Sequence, residues 1–216
     1  MVRGGSPFSV GVVSETGFAA INATVKNLWG YPIGNPAADR IVYFFVHAKM
    51  ATSGATLSVT IGGVTMEQIT PDGSNGNLFG AIFKGYIATG DYADYVITSS
   101  SGNIVDLSYQ TFRVTGTNGT EDADHIESVS TRTTLGITSN HRPDGRTAFI
   151  HGILASTTVV WSADVSESTD KNWGGLSQSE ASRYYYVGES AILGEVTHSS
   201  TAVAGSMLSL SVGSDY

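Results

Sequence analysis

The residues of this chain whose types could do chemistry are few and widely spaced. Five histidines, His47, His125, His141, His151 and His198, share no helical ligand spacing. His47 and His151 lie inside apolar runs, where a hydrogen-bonded structural imidazole is expected in preference to a metal ligand. The chain carries no GxSxG, HExxH, GxxxxGK[ST] or GxGxxG pattern, so the nucleophile elbow, the zinc-protease helix and the phosphate-cradling loops are not indicated. Asp72, Ser74 and Asn77 offer oxygens in a calcium-loop manner, but no bidentate Glu closes the segment, and a plain Asp-Gly turn is expected. Glu121, Asp122 and Asp124 form a second acidic group, read as a solvated loop. A glycosidase needs two carboxylates across a cleft; Glu67, Glu127, Asp164, Glu167, Glu180 and Glu189 qualify by type, and nothing selects a pair. No catalytic residue, metal site or cofactor is therefore assigned.

Aromatic side chains give the better functional signal. Trp29 and Tyr31 fall in Asn27–Pro36, and Trp173 in Ser166–Ser179, two segments whose glycines and, in the first, prolines predict loops. Flat faces beside Asp72, Asn75 and Asn77 suit stacking on sugar rings. The same aromatics would also serve as caps on the core or as anchors at a subunit interface. Trp29, Tyr31, Asp72, Asn75, Asn77 and Trp173 are accordingly the candidate contact residues.

The elements that must position these groups are strands. Short apolar or alternating runs, each closed by Gly, Ser, Thr, Asn or Asp, follow one another through the 216 residues. Ile41–Val46 is continuously apolar, as expected of a central strand covered on both faces. Thr56–Ile61 and Val64–Thr70 flank Gly62-Gly63, a hairpin signal because primed turns need positive φ. Leu78–Thr89 and Tyr92–Ser99 continue the pattern. In Ile104–Gly116 the inward phase changes, which predicts a bulge near Gln110-Thr111. Phe8–Ser14 and Phe18–Thr24 read as an opening pair. Thr117–His125 reads as a loop and Ile126–Ile137 as a Thr-rich edge strand. Arg146–Ala155 and Thr158–Val165 read as a hairpin, and Ala181–Gly188 and Met207–Val212 as strands. The sum is an all-β, antiparallel, jelly-roll-like β-sandwich of about 12 to 14 strands, a single domain over residues 1–216, with no internal sequence repeat.

Composition narrows the function classes. The net charge is −8 and only 14% of residues are charged, the reverse of the basic footprint that nucleic acid or anionic membrane demands. There is no cysteine, which excludes disulfides and thiolate metal sites and fits assembly in a reducing cytoplasm. Met1–Pro7 lacks the apolar core of a signal peptide, so secretory export is not expected.

The strand Arg40-Ile41-Val42-Tyr43-Phe44-Phe45-Val46 leads on to Leu57-Ser58-Val59-Thr60-Ile61-Gly62-Gly63-Val64-Thr65-Met66, then to Tyr92-Ala93-Asp94-Tyr95-Val96-Ile97. Later Val159-Val160-Trp161-Ser162 enters an acidic segment with Glu167 and Asp170. Over about two thirds of the chain this order resembles the small β-sandwich proteins encoded in bacteriophage and prophage structural gene clusters, beside tail or fibre genes. The resemblance implies a non-enzymatic virion component, a capsid decoration or spike or a tail- or fibre-associated domain. Such a protein assembles in the host bacterial cytoplasm and is released by lysis. Its partners would be other virion proteins and further copies of itself, with a host surface glycan as a further contact. The alternatives are a stand-alone carbohydrate-binding protein and, third, a glycan hydrolase or depolymerase.

Overall fold

The computed structural model describes residues 8–71, 74–117, 121–128, 134–140, 146–154, 159–162, 165–173, 176–184, 191–198 and 204–213. Among them run eighteen strands, more than the 12 to 14 expected because several are two- or three-residue pieces. The first ten are β1 (Ser9–Phe18), β2 (Val25–Pro32), β3 (Ile41–Met50), β4 (Leu57–Ile61), β5 (Val64–Thr65), β6 (Glu67–Gln68), β7 (Ser74–Asn75), β8 (Leu78–Tyr86), β9 (Tyr92–Ser99) and β10 (Ile104–Thr115). The remainder are β11 (Glu121–Ser128), β12 (Thr134–Asn140), β13 (Arg146–Ile153), β14 (Val159–Trp161), β15 (Ser166–Trp173), β16 (Leu176–Tyr184), β17 (Ala191–His198) and β18 (Gly205–Val212).

Every pairing is antiparallel, as expected of strands joined without helical crossovers. One sheet runs β1-β10-β3-β8-β6, with β7 on β8, and it faces a sheet of order β2-β9-β4-β5. The pairs β1/β10, β2/β9, β3/β8 and β4/β5 are nested and alternate between the two sheets, which is the jelly-roll winding. The second half repeats it: β11/β18 and β13/β16 fall in a sheet of order β11-β18-β13-β16-β15, and β12/β17 in a sheet of order β12-β17-β14. The strands thus occupy four sheets in two sandwiches, where the sequence pattern suggested one pair of sheets. The topology is duplicated although no repeat is visible in the sequence.

Three layers of apolar side chains bind the four sheets into one stack. The first lies between the sheets of the first sandwich and holds Phe44, Val46, Val59, Tyr95 and Tyr109. The second lies between the two sandwiches and holds Tyr43, Phe45, Ile82, Phe112, Ile150 and Leu208. The third closes the second sandwich around Leu135, Ile137, Trp161, Val196 and Met207. Because side chains alternate along a strand, β3 sends Val42, Phe44 and Val46 into the first layer and Ile41, Tyr43 and Phe45 into the second. Burial on both faces is why its sequence is unbrokenly apolar.

The same double burial corrects the expected bulge in β10. Leu107 and Tyr109 serve the first layer, and Phe112 and Val114 the second, so a regular strand satisfies both parities. Its register against β3 is unbroken from Asp106 to Val114; the irregularities fall between Ile104 and Asp106 and, in the neighbouring β1, between Val12 and Ser14. Other boundaries also move. The opening pair is one strand, β1, on the edge beside β10. The expected loop Thr117–His125 contains the start of β11, whose register with β18 begins at Glu121↔Val212. The expected hairpin of β13 with β14 does not form: β13 pairs with β16 and β18, while β14 pairs with β17. The Gly62-Gly63 hairpin is present, with φ of 60° and 78° at the two glycines.

Buried phenols make the stack sensitive to alkali. Burial, and then the Glu121 carboxylate, hold the Tyr43 hydroxyl far above its usual range. Burial likewise raises Tyr95 and Tyr109. A folded-state pKa above the unfolded value of about 10 favours folding fully below that pH and loses it as pH rises further, because the unfolded chain releases protons that the folded one retains. We expect cooperative unfolding above about pH 10, with the tyrosinate absorbance of Tyr43, Tyr95 and Tyr109 appearing in that transition. A gradual titration of all tyrosines in folded protein near pH 10 would contradict the buried placement.

Candidate functional site

Among the predicted contact residues, the structure singles out Trp29, and not as a loop residue. The expected loop Asn27–Pro36 is strand as far as Pro32: among the described residues β2 is an edge strand paired with β9 alone, and an edge position tolerates a proline that cannot donate to a ladder. Leu28 pairs with Tyr95 and Tyr31 with Ala93, so Trp29 and Gly30 together oppose Asp94. This is a β-bulge. Gly30 takes φ of 64°, a conformation that glycine adopts at least cost. Its N–H donates to Asp94 Oδ1 at 2.8 Å, which fixes the carboxylate.

The bulge sends neighbouring aromatics to opposite faces. Tyr31 turns inward and packs edge-on against Tyr95 and Tyr109, with ring centroids 6.1 Å away in both cases, partly buried against the first apolar layer. Trp29 turns outward and is 69% exposed. In β9, Tyr95 and Ile97 point inward, so Tyr92 and Asp94 share the outer face with Trp29. Tyr92 is 66% exposed. Trp29 opposite Asp94, and Tyr92 two residues before Asp94, form a diagonal cross-strand pair about 7–8 Å apart at the backbone. Exposed Asn27 lies on the same face, two residues before Trp29. Tyr92 and Asp94 were not among the predicted contacts. Their outward parity is visible in the alternation of Tyr92–Ser99, but their neighbour Trp29 is brought to them only by long-range pairing.

The other predicted contacts do not join this face. Asn77 is exposed on the tight connection between β7 and β8, where its carbonyl accepts from the Met50 N–H at 2.6 Å. Asn75 pairs with Leu78 through the backbone. Asp72 lies outside the described residues. Trp173 is not in a loop: it ends β15 and pairs with Leu176 in a hairpin with β16.

At the opposite end of the stack, the outer face of β12-β17-β14 presents Val160, 64% exposed, and Leu193, 46% exposed. Exposed Thr134, Thr138 and Thr197 surround them. The register Val160↔Thr197 and Leu193↔Thr138 places these side chains on one side of the sheet.

Of the polar groups considered for catalysis, Glu67 and Glu167 are exposed, and others are buried or tied down. His47 is fully buried between the sandwiches, with Nε2 3.2 Å from Ser206 Oγ. Glu180, 1% exposed, accepts a short hydrogen bond from the Gln110 amide in the same interface. Glu121 belongs to a strand and not to a solvated loop: Lys84 Nζ donates to both its carboxylate oxygens at 2.6 and 2.7 Å, and the Tyr43 hydroxyl donates to Oε2 at 2.9 Å. This joins β3 and β8 of the first sandwich to β11 of the second. Asp164 and Glu189 lie outside the described residues. Among the described residues no three His, Asp or Glu side chains are grouped to hold a metal ion. A cleft of about 250 Å³ beside β1 is lined by Ser9, Gly11, Val13, Gly34, Asn35 and Arg113. The Arg113 side chain spans it and donates from Nε to the Asn35 carbonyl at 2.8 Å.

No protein-family model and no curated protein matches the chain. Solved structures show faint likenesses. A conserved protein of unknown function from Pseudomonas aeruginosa PAO1 has 9% identity and a TM-score of 0.33, over 96% of this chain and 93% of that one. Cucumber Necrosis Virus gives 10% identity and 0.30, over 96% and 86%. The PBSX exported protein XepA gives 8% and 0.25, over 94% and 86%. At such scores none of these bears on function, and the antiparallel sandwich fold rests on the strand pairings themselves.

Proposed function

We propose that the chain is a non-enzymatic structural protein on the exterior of a bacteriophage particle, a capsid decoration or spike or a tail- or fibre-associated part. The observation that carries this reading is the pair of opposed outer faces on a four-sheet stack. The face around Val160 and Leu193 is threonine-rich, with two exposed aliphatic side chains and the half-exposed carboxylate of Glu195 between Leu193 and Thr197, a mixed surface of the kind that buries against another protein. The face around Trp29 and Tyr92 is aromatic and lies at the far end. Between them the stack is a spacer that works by shape and interface burial. The resemblance in strand order to phage structural proteins supports the same reading.

The test replaces Val160 and Leu193 by Asp. Both side chains are exposed, so the double variant folds like wild type. It is expected to fall at least tenfold in purified particles, because each aspartate would be buried unpaired on docking. Wild-type incorporation of the folded double variant would remove this face from the docking role. A second reading, a stand-alone carbohydrate-binding protein, is favoured by the exposure of Trp29 and Tyr92 and predicts absence from particles altogether.

A further inference from the structure

We infer that the outer face of β2-β9-β4-β5 is a binding site for neutral polysaccharide, with Trp29 and Tyr92 as stacking platforms and Asp94 as the hydroxyl acceptor between them. This goes beyond the spacer role and rests on it in one respect: the face must point away from the particle.

The two rings are large, exposed and held by strands, not by a floppy loop, so little ordering is needed on binding. The bulge at Gly30 aims Trp29 outward, and the Gly30 N–H holds Asp94 through Oδ1. Among the described residues no group engages Oδ2, which is left to accept from a ligand hydroxyl. Aromatic faces carry negative potential and meet the C–H-bearing faces of sugar rings, while a carboxylate binds hydroxyl pairs. Diagonal spacing of the rings along the sheet suits an extended chain of sugars lying across the strands.

Charge decides the class. Asp94 is the only charged side chain at an outward position of these four strands, and Asp91, exposed beside Tyr92, adds a second negative charge at one end. Among the described residues no cation lies at an outward position of these strands to pair with uronate, sialate or sulfate groups, and the chain as a whole is at −8. Acidic polysaccharides are therefore repelled and neutral ones accepted.

The experiment measures retention of the purified full chain on immobilised glucan, galactan and mannan, with galacturonan as the acidic counterpart, alongside Trp fluorescence titration. Wild type is expected to bind at least one neutral polymer and not galacturonan. Trp29→Ala and Tyr92→Ala should each weaken that binding about tenfold or more while melting like wild type. Asp94→Asn keeps the acceptor for Gly30 and should narrow the discrimination against galacturonan. Retention on no neutral polymer, or retention unaffected by Trp29→Ala, overturns the inference. If Trp29→Ala instead abolishes particle incorporation with no sugar bound by wild type, the face is a protein interface; the inference falls and the virion role stands. Sugar binding by a chain absent from particles has the opposite meaning.

Discussion

Gly152→Ala is expected to destabilise the protein by about 3 kcal/mol, the upper range for overpacking a close-packed interior. Gly152 in β13 meets the His47 ring across the interface between the sandwiches. A Cβ there would stand 2.6 Å from the imidazole Cδ2 and 2.8 Å from Nδ1, well inside van der Waals contact. Gly80, the cross-strand neighbour of His47, also lies against the ring: a Cβ on it would overlap Ser206 Oγ and come within 3.1 Å of His47 Cδ2. Two glycines from two sandwiches thus form the slot that admits one buried histidine. The effect should be strongly non-additive. Once His47→Ala has emptied the slot, adding Gly152→Ala should cost little more, giving a coupling on the order of 2 kcal/mol in a urea-denaturation cycle. A Gly152→Ala variant within about 0.5 kcal/mol of wild type would mean that the sandwiches do not pack as described.

Arg40→Met is expected to cost about 3 kcal/mol, the upper range for leaving buried hydrogen-bond acceptors without their donor. Arg40 is 1% exposed and stands just before β3. Its Nε donates to the Ile87 carbonyl at 2.5 Å, Nη1 to Gly34 at 2.5 Å and Gly90 at 2.8 Å, and Nη2 to Thr89 at 2.7 Å. One planar fork therefore ties the connection after β2 to the connection between β8 and β9. Methionine fills similar volume but leaves four carbonyls without their donor. Since those connections set the entry to β9 at Tyr92, the variant should also loosen the aromatic face. Hydrogen exchange is expected to rise at Ile33, whose N–H bonds the Asp91 carbonyl at 2.8 Å. An unchanged melting temperature with unchanged exchange there would contradict this role.

Much of the architecture was legible because local patterns carry it. The apolar run of β3 announced double burial, and Gly62-Gly63 announced its hairpin. The same rule applied to Gly174-Gly175 would have found the pairing of Trp173 with Leu176, where the tryptophan was assigned to a loop instead. The two prolines of Asn27–Pro36 hid β2, since proline argues against a central strand but not against an edge. The division into two sandwiches was not legible. Alternation tells which side of a strand is buried but not which sheet covers it, so the two phases of β10 suggested a kink where the structure has two cores. Of the candidate site, Trp29 was found from its residue type. Tyr92 and Asp94 were missed because the register that places them beside it joins residues more than sixty positions apart.

The most direct test of the account is the copy number of this chain in purified phage particles, measured by quantitative mass spectrometry against the major capsid protein. The account predicts a fixed ratio, near that of the capsid lattice for a decoration protein or a small symmetric number for a tail or fibre part. Complete absence from particles would contradict it and leave the free-standing carbohydrate-binding protein as the better reading.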